Sequence, residues 1–384
     1  MTEQTSKTIG IDDAVRLVTA MVNNGELDQA MSLSEQLCTA APDHPDVLYV
    51  SAGLSWRVDK SDRAIAMQKR LVALEPGTAT HHERLLYFLR ETGDISGALA
   101  AAEAGVRECP SSPTLINAFG MLQLNTGNLQ GSRQTFENAI LALPKSPTAH
   151  QNLSLVLLAE GRAEDAVNAF SKGLTPLKPV DFETKYQDHQ HIGEIYNGLA
   201  QGYDANDLQR AWGPQTAQVM RAALGPGKYG DVLDLCCGTG SVGAAISEQT
   251  DHITGIDVSA GMLDKARARG IYDQLICADI CQALRSIDRS FSVVTCSSAL
   301  YHWADLTTFF DAVASVLLPN GHLIFSVDPA SDEMDIGQSA PSEYAHSRSY
   351  IRRVTASAGF REISITIDAH RSYPGFWCVF QRIS

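Results

Sequence analysis

The sequence predicts an α plus α/β protein in two parts. An all-helical repeat array spans 11–178. After a linker at 179–194, a seven-stranded α/β domain spans 195–384 and opens with a helical lid at 195–225. Three observations carry this. Prolines recur at 42, 76, 110 and 144, each 34 residues after the last. Beyond about residue 230, short apolar runs alternate with helical stretches. At 231–243 the text "DVLDLCCGTGSVG" reads as a buried strand, a glycine turn and a helix start.

The repeat array comes first. Twelve residues before each proline stands Ala30, Ala64, Ala98 or Ser132, and one period later Ala166. Seventeen before stands Gly25, Asp59, Gly93 or Gly127, then Gly161. A small residue lets two helices approach closely. A glycine ends the first helix at positive φ, and the proline stops the second. Phe136 and Phe170 share a position where the earlier repeats are weaker, Gln68 standing there in the second. The pattern resembles the tetratricopeptide repeat, a 34-residue helix–turn–helix unit that buries its apolar face only by stacking. Five units fit. Such an array docks a peptide or protein, pairs with a second copy as a homodimer, or walls a neighbouring site, and the fold alone does not choose.

"TPLKPVDFETKYQDHQH" breaks the period with two prolines and turns polar. Its Asp188, His189 and His191 are read as solvated linker residues and not as metal ligands. Helical segments over "HIGEIYNGLAQGYDANDLQRAWGPQTAQVMRAAL" follow. Then "GDVLDL", "HITGID", "QLICAD", "FSVVTCSS" and "GHLIFSVD" alternate with helices, which implies parallel strands with right-handed crossovers. "SYIRRVTASAGF" is a further helix, and "REISITIDAHR" and "GFWCVFQRI" are a closing strand pair.

Composition narrows the function. Hydrophobic residues make up 44% and charged residues 19%, as in soluble globular proteins. The net charge of -14, spread over both halves, argues against a nucleic-acid partner, which requires basic patches. No signal-type or membrane-spanning apolar run is visible, so a cytoplasmic, membrane-free protein is expected. The eight cysteines form no C-x-x-C. Cys277 and Cys281 lack a second ligand pair, so reduced thiols and no metal are expected.

The glycine turn is the strongest chemical signal. Strand, glycine turn and helix form a nucleotide-sized site at the carboxyl ends of parallel strands. Asp257 closes the next strand, 23 residues after Asp234, where a carboxylate accepts both hydroxyls of a ribose. Asp279 follows the third strand, within reach of an adenine amine. The dehydrogenase frame G-x-G-x-x-G fits worse, because it would read Cys236, Gly238 and Ser241.

Together with "YNGLAQGYD", "GIDVSAGMLDKAR", "SSALYHWADL" and "LLPNGHLIFSVD", residues 195–384 resemble the class I S-adenosylmethionine-dependent methyltransferases. The repeats and "YAHSRSYIRR" add a likeness to the repeat-bearing bacterial members. The resemblance implies a Rossmann-like sheet of order 3-2-1-4-5-7-6 with strand seven antiparallel, and S-adenosyl-L-methionine as cofactor, leaving as S-adenosyl-L-homocysteine. In the family pattern acidic-x-G-x-G-x-G, this chain has Asp234, Cys236, Gly238 and Gly240. Cysteine suits the first glycine position if its φ stays negative, and it is read as a packing residue, not a reactive thiol.

By the same resemblance Met262 packs on the adenine and the backbone of Ile280 borders it, while Ser297 and Ser298 face the methionine part. In the lid, Tyr203 touches the cofactor's carboxylate end or is core, and Tyr196 belongs to the acceptor side or is core. His302 is the candidate general base, or one wall of the pocket with Tyr301 and Trp303. His346 is the rival polar residue for the acceptor. All cofactor contacts are expected after residue 195. The function expected is methyl transfer to a small-molecule or carrier-bound acceptor that the repeats help dock. Methylation of a protein side chain, or a non-catalytic repeat adaptor, are the alternatives.

Overall fold

The computed structural model describes residues 10–178, 189–205 and 207–383, so Asp188 and most of the linker lie outside the described residues. The chain divides into two compact units, Met1–Ala142 and Leu143–Ser384.

The first unit holds four helix pairs: α1 (Ile11–Asn24) with α2 (Leu27–Ala40), α3 (Pro45–Arg57) with α4 (Ser61–Leu74), α5 (Ala79–Glu91) with α6 (Ile95–Glu108), and α7 (Pro113–Asn125) with α8 (Leu129–Ala142). The small residues of the period are buried: Ala30, Ala64, Ala98 and Ser132 are all 0% exposed. The residue ending each first helix is left-handed, with φ of 82° at Gly25, 57° at Asp59, 76° at Gly93 and 80° at Gly127. Aspartate is among the few side chains that tolerate this region, which is why the second repeat forms without its glycine. Gln68 is fully buried at the phenylalanine position, its amide donating to the His81 carbonyl at 2.9 Å.

The second unit begins with the fifth pair, α9 (Pro147–Ala159) and α10 (Ala163–Lys172), in which Ala166 is again 0% exposed. There follow β1 (Thr175–Pro176), the lid helices α11 (His189–Leu199) and α12 (Asp207–Leu224), then β2 (Asp231–Leu235), α13 (Ser241–Ile246), β3 (His252–Asp257), α14 (Ala260–Ala268), β4 (Gln274–Cys277) and α15 (Ile280–Ser286). After these come β5 (Phe291–Cys296), α16 (Thr307–Val316), β6 (Leu317–Ala330), β7 (Ile336–Ala340), β8 (Glu343–Ser347), α17 (Arg348–Ser357), β9 (Phe360–His370) and β10 (Tyr373–Arg382). The main sheet runs β4-β3-β2-β5-β6-β10-β9, with β10 antiparallel to both neighbours. In strand rank that is the expected order 3-2-1-4-5-7-6. Its parallel strands are apolar on both faces because helices cover both, and all carboxyl ends open on one side.

Two features exceed the expectation of seven strands. β7 and β8 form a hairpin whose β8 runs parallel to the end of β6, and β1 adds to β7. The fifth repeat also packs into the sheet's own core. Val167 joins the cluster around Leu233 and Phe325, and Phe170 with Leu174 packs on Ala330, Ala345 and Tyr373. Arg348 grips Glu164 with two guanidinium nitrogens at 2.9–3.0 Å. No helix among the described residues is long and apolar enough to cross a membrane.

Candidate active site

A cavity with an empty volume of ≈ 900 Å³ opens at the carboxyl ends of β2, β3, β4 and β5, beneath the lid. One end is built by the glycine turn. Gly238, at φ 54°, donates its N–H to Asp257 Oδ2 at 2.8 Å, and Ser259 N–H donates to Oδ1 at 2.8 Å. Asp257 is only 8% exposed, yet it faces the cavity. Burial pushes its carboxyl upward from the ordinary value, and the Ser259 and Gly238 donors pull it back. Both oxygens accept from the backbone of this turn, which fixes the carboxylate's orientation toward the cavity. Met262, Asp279 and Ile280 line the same end. Ser259 Oγ caps α14 by accepting from Met262 N–H, and Asp279 caps α15 by accepting from Gln282 N–H at 2.9 Å.

The other end is aromatic. Tyr196, Tyr203, Trp212, His302 and Trp303 line it, with Ser297 and Ser298 as its floor. His302 Nε2 lies 3.2 Å from Tyr196 Oη, which lies 2.7 Å from Tyr301 Oη. The Arg371 guanidinium sits 3.5 Å above the Tyr301 ring. Burial drives the Tyr301 phenol up to about 12 against the pull of Arg371, and drives Tyr196 and Tyr203 upward too. All three tyrosines are therefore neutral hydrogen-bonding groups.

Several sequence expectations need correction. Cys236 lines the cavity, but at φ 51°, not at negative φ, because the turn leaving β2 demands the left-handed region whatever the residue. Its thiol is raised well above the usual range, first by its hydrogen bond with Cys296 and then by burial, so it is an inert packing group. Asp234 does not reach the cavity. It is 1% exposed behind the turn, taking hydrogen bonds from Tyr272 Oη at 2.7 Å and Thr295 Oγ1 at 2.8 Å. Gly240 caps α13 at φ 85°, where a Cβ would meet the Tyr272 ring at 2.9 Å, so its place is behind the cavity as well. Tyr301 is buried, hydrogen-bonded to Tyr196, and does not line the cavity. His346 is 0% exposed, its Nε2 3.0 Å from the Ala304 carbonyl oxygen, and it does not line the cavity.

Other residues escaped sequence reasoning. Trp212 lines the cavity from α12 and sits 5.6 Å from the His370 ring. Thr239 Oγ1 donates to Asp204 at 2.7 Å. Asn197 Oδ1 accepts from Ser259 Oγ at 2.7 Å and Gly261 N–H at 2.9 Å. Thr239 was readable from its place in the glycine turn. The lid residues carry no local pattern that marks them.

Comparison with known proteins agrees with this geometry. Residues 232–321 match the family model "Methyltransferase domain", and residues 51–113 and 117–181 match "Tetratricopeptide repeat". The first match falls on β2 to β6 and the second on helices α3 to α10. It is 34% identical over 139 residues to the putative methyltransferase YqeM of Bacillus subtilis, covering 35% of this chain and 55% of that protein. It is 28% identical over 172 residues to the malonyl-[acyl-carrier protein] O-methyltransferase of Enterobacter lignolyticus, covering 43% and 65%. The chain spans about half the length of these curated relatives. Among solved structures, magnesium protoporphyrin IX methyltransferase from Synechocystis with bound SAM aligns at 19% identity and a TM-score of 0.41, over 51% of this chain and 98% of that one.

Proposed function

We propose that the chain is an S-adenosylmethionine-dependent methyltransferase acting on a small-molecule or carrier-bound acceptor. The observation that carries the reading is Asp257, a cavity-facing carboxylate pinned to the backbone of Gly238 at the end of the neighbouring strand. The residues fit the cofactor. Asp257 would take its ribose hydroxyls, Met262 would pack on its adenine with the Ile280 backbone bordering it, Asp279 would meet the adenine amine, and Gly238 would let the backbone approach. When bound, it supplies an electrophilic methyl group on a sulfonium, a leaving group that needs no covalent help from the protein.

The chain's own work is alignment and water exclusion. Ser297, tied to Thr216 by a 2.7 Å hydrogen bond, and Ser298 form the floor at the transfer point. The lid tyrosines close the roof. His302, at the aromatic end, is placed to take a proton from the acceptor. The repeats serve as the docking surface for the acceptor or its carrier. A decayed adaptor site would be expected to lose Gly238 or Asp257, and both are present.

The test is calorimetry with S-adenosylhomocysteine. The parent chain binds it, and Asp257→Ala, checked for folding, weakens binding about 10- to 100-fold, since hydrogen bonds to a charged group contribute roughly 1.5–3 kcal/mol. Equal affinity in the two proteins would remove Asp257 from the ribose site, and no binding by the parent would remove the methyltransferase reading itself.

A further inference from the structure

The aromatic end of the cavity defines what it accepts. Tyr196, Tyr203, Trp212 and Trp303 supply flat, apolar walls, and the Tyr196 ring meets Tyr203 and His302 edge-on at centroid distances of 6.2 and 6.0 Å. Hydrogen-bonding capacity concentrates at one corner, where Tyr196 Oη bridges His302 Nε2 and Tyr301 Oη. Charge points the same way. The described lining residues include two carboxylates, Asp257 and Asp279, and no lysine or arginine. Arg371 stands behind the Tyr301 ring. It is committed to Asp328 at 2.9 Å and Glu343 at 3.0 Å, so it is not offered to a ligand. An acceptor bearing a carboxylate, as the name of the malonyl-[acyl-carrier protein] relative implies for that protein, would meet no lysine or arginine among the described lining residues.

We propose that the acceptor is a neutral, flat aromatic hydroxyl compound, held among Tyr196, Tyr203, Trp212 and Trp303 with its hydroxyl at the His302–Tyr196 corner. The proposal rests on the methyl-transfer reading above and names its substrate class. Aromatic rings pack edge-on or offset against such walls, and a phenol offers one hydroxyl at one end, as the corner requires. In the reaction the acceptor oxygen's lone pair bonds to the methyl carbon, its O–H proton passes to His302, and the carbon–sulfur electron pair leaves with the sulfur as a neutral thioether. Tyr196 holds His302 in place by hydrogen bonding to Nε2, and Arg371 polarises Tyr301 and so strengthens the chain from behind.

The experiment uses the full chain saturated with S-adenosylhomocysteine and three probes in calorimetry: 4-methylcatechol, 3,4-dihydroxybenzoate, and the malonyl thioester of N-acetylcysteamine. The same probes are then incubated with S-adenosylmethionine and analysed by mass. The expected result is binding and methyl-ether formation with 4-methylcatechol, binding at least tenfold weaker for dihydroxybenzoate, and no binding of the malonyl thioester. Tyr196→Phe should keep its affinity for S-adenosylhomocysteine and bind 4-methylcatechol about fivefold to tenfold more weakly, the loss of one buried hydrogen bond. Tighter binding of either anion overturns the proposal, as does absence of 4-methylcatechol binding when S-adenosylhomocysteine is bound. Failure to bind S-adenosylhomocysteine overturns the methyl-transfer reading and the acceptor assignment with it.

Discussion

Cys236 holds a left-handed backbone that costs a side chain bearing a Cβ about 1–2 kcal/mol. The thiol offsets part of that by packing into the floor beside Cys296. Cys236→Gly should therefore raise stability by about 0.5–1 kcal/mol after the glycine entropy is counted. Cys236→Ala keeps the strain, loses the contact and should fall by about 1 kcal/mol. Both should bind S-adenosylhomocysteine like the parent. Urea denaturation orders the three proteins, and a stabilised alanine variant would mean that the thiol is itself strained. His346 and Asp234 make a second residue-scale case. Burial lowers His346 to about 4, so the unfolded chain binds the extra proton and stability is lost as pH falls from about 6.5 to 4. Burial raises Asp234 to about 6, so there the folded chain binds the extra proton and stability is lost as pH rises from about 4 to 6. The two slopes oppose, each of the order of 3 kcal/mol at most. His346→Gln removes the first. The stability gap between parent and variant should widen in the parent's favour from pH 4.5 to pH 6.5. A gap independent of pH would show that His346 titrates normally.

At the scale of elements, the lid is fastened at two points to the loops that hold the cofactor end. Asn197 on α11 accepts from Ser259 and Gly261 at the start of α14. Asp204, in the short turn after it, accepts from Thr239 in the glycine turn and from Arg269 at 2.9 Å. Since Ser259 also donates its N–H to Asp257, ligand binding and lid closure act on the same residues. Asn197→Ala should speed release of S-adenosylhomocysteine about threefold to tenfold, as one or two hydrogen bonds of about 0.5–1.5 kcal/mol are lost. Stopped-flow displacement measures this directly, and an unchanged release rate would mean that the lid does not gate the cavity.

At the scale of the whole molecule, the periodic pattern and the compact units part company. By sequence the fifth repeat belongs with the other four. By packing its Val167, Phe170 and Leu174 belong with the sheet. A chain starting at Leu143 should stay folded and bind S-adenosylhomocysteine. A chain starting after residue 178 loses those three side chains, each worth about 1.5–3 kcal/mol when buried, and bares the Ala330, Ala345 and Tyr373 surface they cover, so it should melt several degrees lower or aggregate. Equal melting temperatures would make the fifth repeat a passenger on the sheet.

The division between sequence and tertiary structure follows from range. Spacing by itself determined the 34-residue repeat, the helix ends at Gly25, Gly93 and Gly127, the alternation of strands and helices, and the glycine turn with Asp257 and Asp279 beyond it. Each depends on a residue and its near neighbours: a small side chain at a helix contact, a glycine where φ is positive, a carboxylate closing a strand. The order of the strands was legible through family resemblance. Which polar residues face the cavity was not. Asp234 lies within the glycine motif, yet Tyr272 and Thr295 from other elements claim its oxygens. His346 lies in a strand whose pairing with β6 turns it into the core against Ala304. Tyr301 and His302 are adjacent, and only the contacts with Arg371 and Tyr196 send one behind the wall and leave the other on it. Those outcomes depend on partners up to a hundred residues away, and a free energy shared among distant groups leaves no local pattern to read.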